Sequence, residues 1–213
     1  MTISATTQGL RMGVATSSSR PTVPFDGQVI SETDTDSLSV YKGSAWAPVS
    51  GLTLISATTL SGTTSINDCF SAKYTNYNIR LNATMPAGTI LRMRYRVSSA
   101  DNTTSNYDSG STTSYTGSAS ASFQSQGVAG SSFNLALPTA CKGWNGTLDV
   151  CNPFATDYAS ITSTNVYTQN TYPEFYMVSG FNFRLTTSFT GVTFFTDSGN
   201  LTGTVKVYGL ADA

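Results

Sequence analysis

Histidine is absent from this 213-residue chain. That removes the commonest general base, the Ser-His and Cys-His nucleophile pairs, and most zinc or iron sites. Carboxylate chemistry stays open, but the Asp and Glu residues are scattered without a pair assignable as acid and nucleophile. The expectation is a protein that is not an enzyme and that holds neither a metal nor a cofactor. Charge is scarce as well, at 11% of residues against roughly 25% in ordinary soluble domains. With 11 basic and 12 acidic residues the net charge is −1, so no global field draws the chain to nucleic acid or to an anionic membrane. Cysteine occurs three times, as Cys69, Cys141 and Cys151. An odd count without CxxC spacing argues against a disulfide framework or a zinc cluster, and reduced thiols are expected. A bridge between Cys141 and Cys151 around "CKGWNGTLDVC" is the alternative. No apolar run approaches the ~20 residues of a membrane span, and "MTISATTQGLRMGVA" lacks the basic-then-apolar layout of a secretory signal.

Ser, Thr, Asn and Gly fill the space that charge leaves empty. Thr tolerates the pleat of a strand, while Ser, Asn and Gly supply turns. Residues 1–25 end in "SSSRPTVPF", whose prolines favour an extended arm over a helix. "GQVISETDTDSLSVYKGSAW" then predicts a small hairpin: Val29, Ser31 and Thr33 alternate with Ile30, Glu32 and Asp34, "DTDS" turns, and Leu38, Val40 and Tyr41 begin the return. Gly43-Ser44 turns again before Trp46. A hairpin this small is marginal alone, so Ile30, Val40 and Trp46 are expected to pack on the main domain or to dock on a neighbouring subunit or a host shell.

Short alternating runs continue from "LTLISATTL" to the C-terminus. "YNIRLNATM" puts Ile79, Leu81 and Ala83 on one face, "PAG" is expected to turn the chain, and "TILRMRYRVSS" answers it. In that second run Leu91, Met93, Tyr95 and Val97 share one face and Arg92, Arg94 and Arg96 the other. Residues 98–131 read as long surface loops or edge strands anchored by Tyr107, Tyr115, Phe123 and Val128. The spacing of strands and turns predicts an all-β antiparallel sandwich, jelly-roll-like, over 51–213, preceded by an attachment arm with its hairpin over 1–50.

The arginine row has two readings. It is either a sheet face whose guanidiniums pair with acids on adjacent strands, or a subunit interface. "ETDTD" suggests a calcium loop by its alternating oxygens, but it lacks the glycine and distal glutamate of such loops. A turn in which Asp34 and Asp36 bond backbone NH groups is simpler. "NYDSGSTTSYTG" and "NVYTQNTYPEFY" are candidate sugar-stacking loops, although tyrosines serve cores equally well.

"SSSRPTVPFDGQVISETDTDSLSVYKGSAW" resembles a segment recurrent in virion proteins of tailed bacteriophages: Arg-Pro, then Gly-Gln, then Glu-Thr-Asp-Thr, then a Tyr-x-Gly-x-x-Trp closure. "CFSAKYTNYNIRLN", the arginine strand and "SGNLTGTVKVYGL" are similar to a β-domain of phage structural proteins. The resemblance implies a virion component assembled in the host cytoplasm. It suits a capsid decoration or cement protein on the capsid surface, bridging the major capsid protein and copies of itself as a trimer. A tail fibre or baseplate adhesin binding host glycan is the alternative. Interface candidates are Arg20 and Pro21 of the arm, Ile30, Val40 and Trp46 of the hairpin, and Arg92, Arg94 and Arg96.

Overall fold

Alternating runs of this length give strands, and every helix or strand among the described residues of the computed structural model is a strand. The structure describes residues 12–35, 37–49, 51–115, 122–136, 141–169 and 175–210. The chain divides into two compact units, one ending at Leu52 and the other beginning at Thr53.

In the first unit, β1 (Gly13–Ala15), β2 (Val29–Glu32), β3 (Ser37–Lys42) and β4 (Ala45–Pro48) form one sheet in that order. The expected hairpin and its second turn are present as the antiparallel β2-β3-β4 meander. Gly43 takes φ 61°, as a two-residue hairpin loop requires. The arm contributes more than expected. β1 pairs parallel with β2, and residues 16–28 form the crossover that a parallel pair needs.

The second unit contains β5 (Leu52–Ser61, which starts at the unit boundary), β6 (Thr64–Ile66), β7 (Asn76–Thr89), β8 (Leu91–Val97) and β9 (Ala100–Asp101). They are followed by β10 (Tyr107–Tyr115), β11 (Ser122–Gly130), β12 (Phe133–Asn134) and β13 (Cys141–Cys151). The last four are β14 (Ser160–Gln169), β15 (Phe175–Phe183), β16 (Gly191–Thr196) and β17 (Thr202–Leu210). Eight strands form one sheet in the order β11-β10-β15-β14-β13-β7-β17-β5. A smaller sheet runs β12-β8-β16-β6, with β9 beside β8. The two antiparallel sheets pack face to face as the expected sandwich.

Their core is aromatic where the sheets meet. Tyr95 of β8 stacks on Phe189 at 4.2 Å between ring centroids and reaches Tyr107 and Phe183 of the large sheet at 6.4 and 6.2 Å. Tyr107 and Phe183 meet edge-on at 4.9 Å. The Tyr107 hydroxyl donates to the Asn102 carbonyl and accepts the Tyr95 N–H, so this buried polar tip is satisfied. Register carries a different row across the same inner face: Ser111, Ser179 and Ser163 lie side by side on β10, β15 and β14, and all three are buried. Small hydroxyl residues there explain why residues 98–131 read as loops or edge strands. The edge-strand alternative describes β11, which ends the large sheet, while β10 lies one place inside it.

Pro86-Ala87-Gly88 does not make the expected hairpin. β7 continues through it to Thr89, in the large sheet, whereas β8 belongs to the small one. Pairing with β13 jumps from Thr84↔Gly143 to Thr89↔Cys141, so the segment is a bulge, with Gly88 at φ 84°. The chain then crosses between layers at Ile90.

Candidate functional site

The segment that carries the phage resemblance is held together by its own motif residues. Arg20 Nε donates to Glu32 Oε1 at 2.6 Å, and Thr35 Oγ1 donates to Glu32 Oε2 at 3.0 Å. Glu32 is only 2% exposed, where an unpaired carboxylate would be costly. The Arg20 hydrogen bond, with help from the Thr35 and Ser39 hydroxyls, holds its pKa below the ordinary glutamate value against the opposing effect of burial. Asp34 accepts the Ser17 hydroxyl at 2.5 Å and the Ser17 N–H at 2.9 Å, and these bonds lower its pKa too. Asp26 Oδ1 accepts the Gly43 N–H at 2.7 Å, tying the crossover to the second turn. Tyr41 meets Trp46 edge-on at 5.5 Å. In "ETDTD", Asp34 accepts a backbone NH, but that of Ser17 in the crossover and not one within the turn, Glu32 is held by Arg20 and Thr35, and Asp36 lies outside the described residues.

The pleat sorts the hairpin candidates onto two faces. Ile30, 1% exposed, shares a face with Ser39 and, by register, with Tyr41 and Trp46. Val40 projects from the opposite face, beside Val29 and Ala47, so the three expected anchors do not form one cluster. Arg20 is turned inward to Glu32, and Pro21, half-buried, follows it into the crossover. Val40's face is the open one. Val14 is 58% exposed, Val29 37% and Leu38 40%. Val49 extends the Leu38 register just past β4, bonding through its N–H to the Leu38 carbonyl at 2.8 Å. Aliphatic side chains from all four strands thus cover one side of a sheet whose polar groups are concentrated on the other.

The arginine row is on one face of β8, as expected, and its partners lie within the chain. Arg96 is buried among Asp101, Asn67, Ser65, Thr193 and the Ser99 carbonyl. Arg94 donates to the Ser131 carbonyl at 2.9 Å and lies 4.5 Å over the Phe195 ring. Arg92 reaches Asp197 at 3.9 Å. The reading of a sheet face paired with nearby acids describes this geometry. All three guanidinium nitrogens of Arg96 are engaged within the chain.

Cys141 and Cys151 are the first and last residues of β13. Ten residues of strand separate them by roughly 33 Å, far beyond the ~7 Å limit between Cα atoms for a disulfide. The bridge is excluded by the straightness of the strand that joins them. Cys69 is a buried free thiol, pushed up to about 12 by desolvation, and Cys151 is a free thiol at the surface. Of the candidate sugar-stacking segments, residues 107–115, 165–169 and 175–176 lie in the strands β10, β14 and β15, while 116–117 and 170–174 lie outside the described residues. Tyr107 and Tyr167 face the core, Tyr176 is 49% exposed, and the Tyr115 side chain lies outside the described residues. Among the described residues no group of His, Cys, Asp and Glu gathers in a geometry that could hold a metal ion.

Two features escaped the sequence. The apolar face of β1–β4 was readable in part, since Val29, Leu38 and Val40 follow strand parity, but Val14 joins it only through the parallel pairing. Arg80 and Lys206, far apart in the chain, are brought side by side by the β7–β17 register, which no local pattern signals. Comparison with protein-family models, with curated proteins and with solved structures yields no match to this chain.

Proposed function

We propose that the chain is a structural component of a tailed-bacteriophage virion, a capsid decoration protein that attaches through its N-terminal unit. The observation that carries this reading is the open aliphatic face of β1–β4, on which Val14, Val29, Leu38 and Val49 are each more than a third exposed. Burying each such side chain against a partner is worth about 1.5–3 kcal/mol. The partner that suits the face is a shell subunit with a complementary apolar strip, because among the described residues of β1–β4 only Lys42 brings charge to it. Packing the same face against neighbouring copies around a capsomer junction would let one protein bridge several subunits. Such burial opposes the separation of subunits when the shell is under internal pressure.

The alternative, a tail fibre or baseplate adhesin that binds host glycan, draws support from the outer face of the eight-stranded sheet. Thr162, Thr164, Thr168 and Asn182 present hydroxyls and an amide to solvent there, around Val178 and Tyr176.

Particles assembled without the protein provide the test. Purified wild-type chain is expected to rebind their heads and to raise their resistance to heat and low salt. Leu38→Asp should lower head occupancy at least about tenfold, the equivalent of losing one well-buried apolar contact. Normal occupancy by Leu38→Asp would remove the aliphatic face from attachment. Label confined to the tail tip would replace the decoration reading by the adhesin.

A further inference from the structure

We infer that the outer face of the eight-stranded sheet carries a binding site for an acidic saccharide, centred on Arg80 and Lys206. This site is separate from the attachment face and does not depend on whether the protein sits on head or tail.

The argument begins with an imbalance of charge. Arg20, Arg92, Arg94, Arg96 and Arg184 each face an aspartate or glutamate. Arg80 alone among the described arginines does not. Its cross-strand neighbour is Lys206, directly opposite on β17, and both side chains are exposed. Like charges at directly opposed positions of an antiparallel pair are destabilising. In a chain with so few charges, two cations placed together without an acid form a local positive spot that the composition does not require. The neighbouring acid on this face, Asp149 on β13, is engaged one row away, where its Oδ1 accepts the Asn78 amide at 2.7 Å.

The surroundings suit a sugar carrying a carboxylate. A depression of about 360 Å³ is lined by Arg80, Asn82, Thr147, Thr204, Lys206 and Tyr208. The Arg80 guanidinium lies 5.8 Å from the centre of the Tyr208 ring, which supports it from the side. The fork can take a carboxylate in two parallel hydrogen bonds, and Lys206 adds a point charge beside it. Thr147 flanks Arg80 on the side away from Lys206, and Thr204 faces Asn82 in the next row. Their hydroxyls serve sugar hydroxyls as donor or acceptor. Asn82 is held in place by its 2.5 Å bond to Asn145, so its orientation is set before a ligand arrives. A bare inorganic anion would use the cations and leave these hydroxyls idle. A neutral sugar would leave the two cations facing each other.

The test titrates the full chain with trigalacturonate, maltotriose, inorganic sulfate and a short single-stranded DNA at low and moderate salt, using calorimetry and chemical-shift changes. Trigalacturonate should bind at least about tenfold more tightly than maltotriose, the worth of one charge-assisted pair. Arg80→Gln and Lys206→Gln should each weaken it by a similar factor while the melting temperature is retained, since both positions are exposed. Thr147→Val should weaken trigalacturonate and leave sulfate unchanged. Equal affinity for maltotriose, or wild-type affinity in the Arg80→Gln, Lys206→Gln double variant, overturns the proposal. Sulfate binding as tightly as trigalacturonate identifies a simple anion site and overturns the saccharide. A short single-stranded DNA that binds more tightly than trigalacturonate does the same.

Discussion

The unit from Thr53 onward encloses Tyr95, Tyr107, Phe133, Phe183 and Phe189 in one cluster of touching rings, whereas the unit that ends at Leu52 buries one large aliphatic side chain, Ile30, among its described residues. Where the larger unit has rings, the smaller has a carboxylate network: Glu32 on Arg20 and Thr35, Asp34 on Ser17, and Asp26 on Gly43. Its aliphatic residues are on the outside. A sheet this small cannot enclose a core, so directional hydrogen bonds set its shape and leave its apolar face open for something else. The contrast teaches that a segment can be well determined by its motif and still be incomplete as a surface. It also gives each unit a reporter, with Trp46 in the first and Trp144, wholly buried and bonded through Nε1 to the Leu135 carbonyl, in the second.

The largest expected effect lies in the aromatic cluster. Phe183→Ala should cost about 3–5 kcal/mol, read as a fall in the denaturation midpoint followed at Trp144 in a Trp46→Phe background. A loss below about 1 kcal/mol would mean that the cluster is loosely packed and that the contrast between the units is overdrawn.

The network should yield a smaller effect with a different signature. Arg20→Met leaves the Glu32 carboxylate buried without its cation and should cost about 1–3 kcal/mol, followed at Trp46 in a Trp144→Phe background. The same network predicts acid sensitivity. Glu32 and Asp34 have folded pKa values below their unfolded ones, so their contribution is present above the unfolded value of about 4. It is lost as pH falls from there through the folded values. Asp108, lowered by Arg184, gives the larger unit a similar dependence from a half-exposed carboxylate, where the first unit has the buried Glu32. The Trp46 signal should therefore respond to acid more steeply than the Trp144 signal. Equal acid profiles would show that the carboxylates do not distinguish the units.

The smallest effect is expected in the arginine row. Arg92→Ser removes a long contact to Asp197 and should change stability by no more than about 0.5 kcal/mol. Arg96→Ser should cost clearly more, because it removes a buried guanidinium on which Asn67, Ser65, Asp101 and Thr193 converge. Equal losses at the two positions would contradict the burial that separates them.

Much of this architecture was legible because burial follows parity. Ile79, Leu81 and Ala83 face the core, as do Leu91, Met93 and Tyr95, and the β2-β3-β4 turns fall at "TDT" and Gly43-Ser44. The failures have local causes. Pro86-Ala87-Gly88 has the composition of a hairpin turn, and only pairing with β13 turns it into a bulge. Ser111, Ser163 and Ser179 look like loop residues, and only a second sheet makes them core. The arginine row was visible, but that Arg96 meets Asp101 depended on β9, two residues long. Val14 and the pair Arg80–Lys206 are set by register between distant segments, which a single sequence does not encode locally.

Hydrogen–deuterium exchange of the protein, free and bound to particles, tests the central claim most directly. The backbone amides of β1–β4 should gain protection on binding, with those of Val14, Val29 and Leu38 slowed most. Protection gained only on the eight-stranded sheet, with β1–β4 exchanging as in the free protein, would contradict attachment through the aliphatic face.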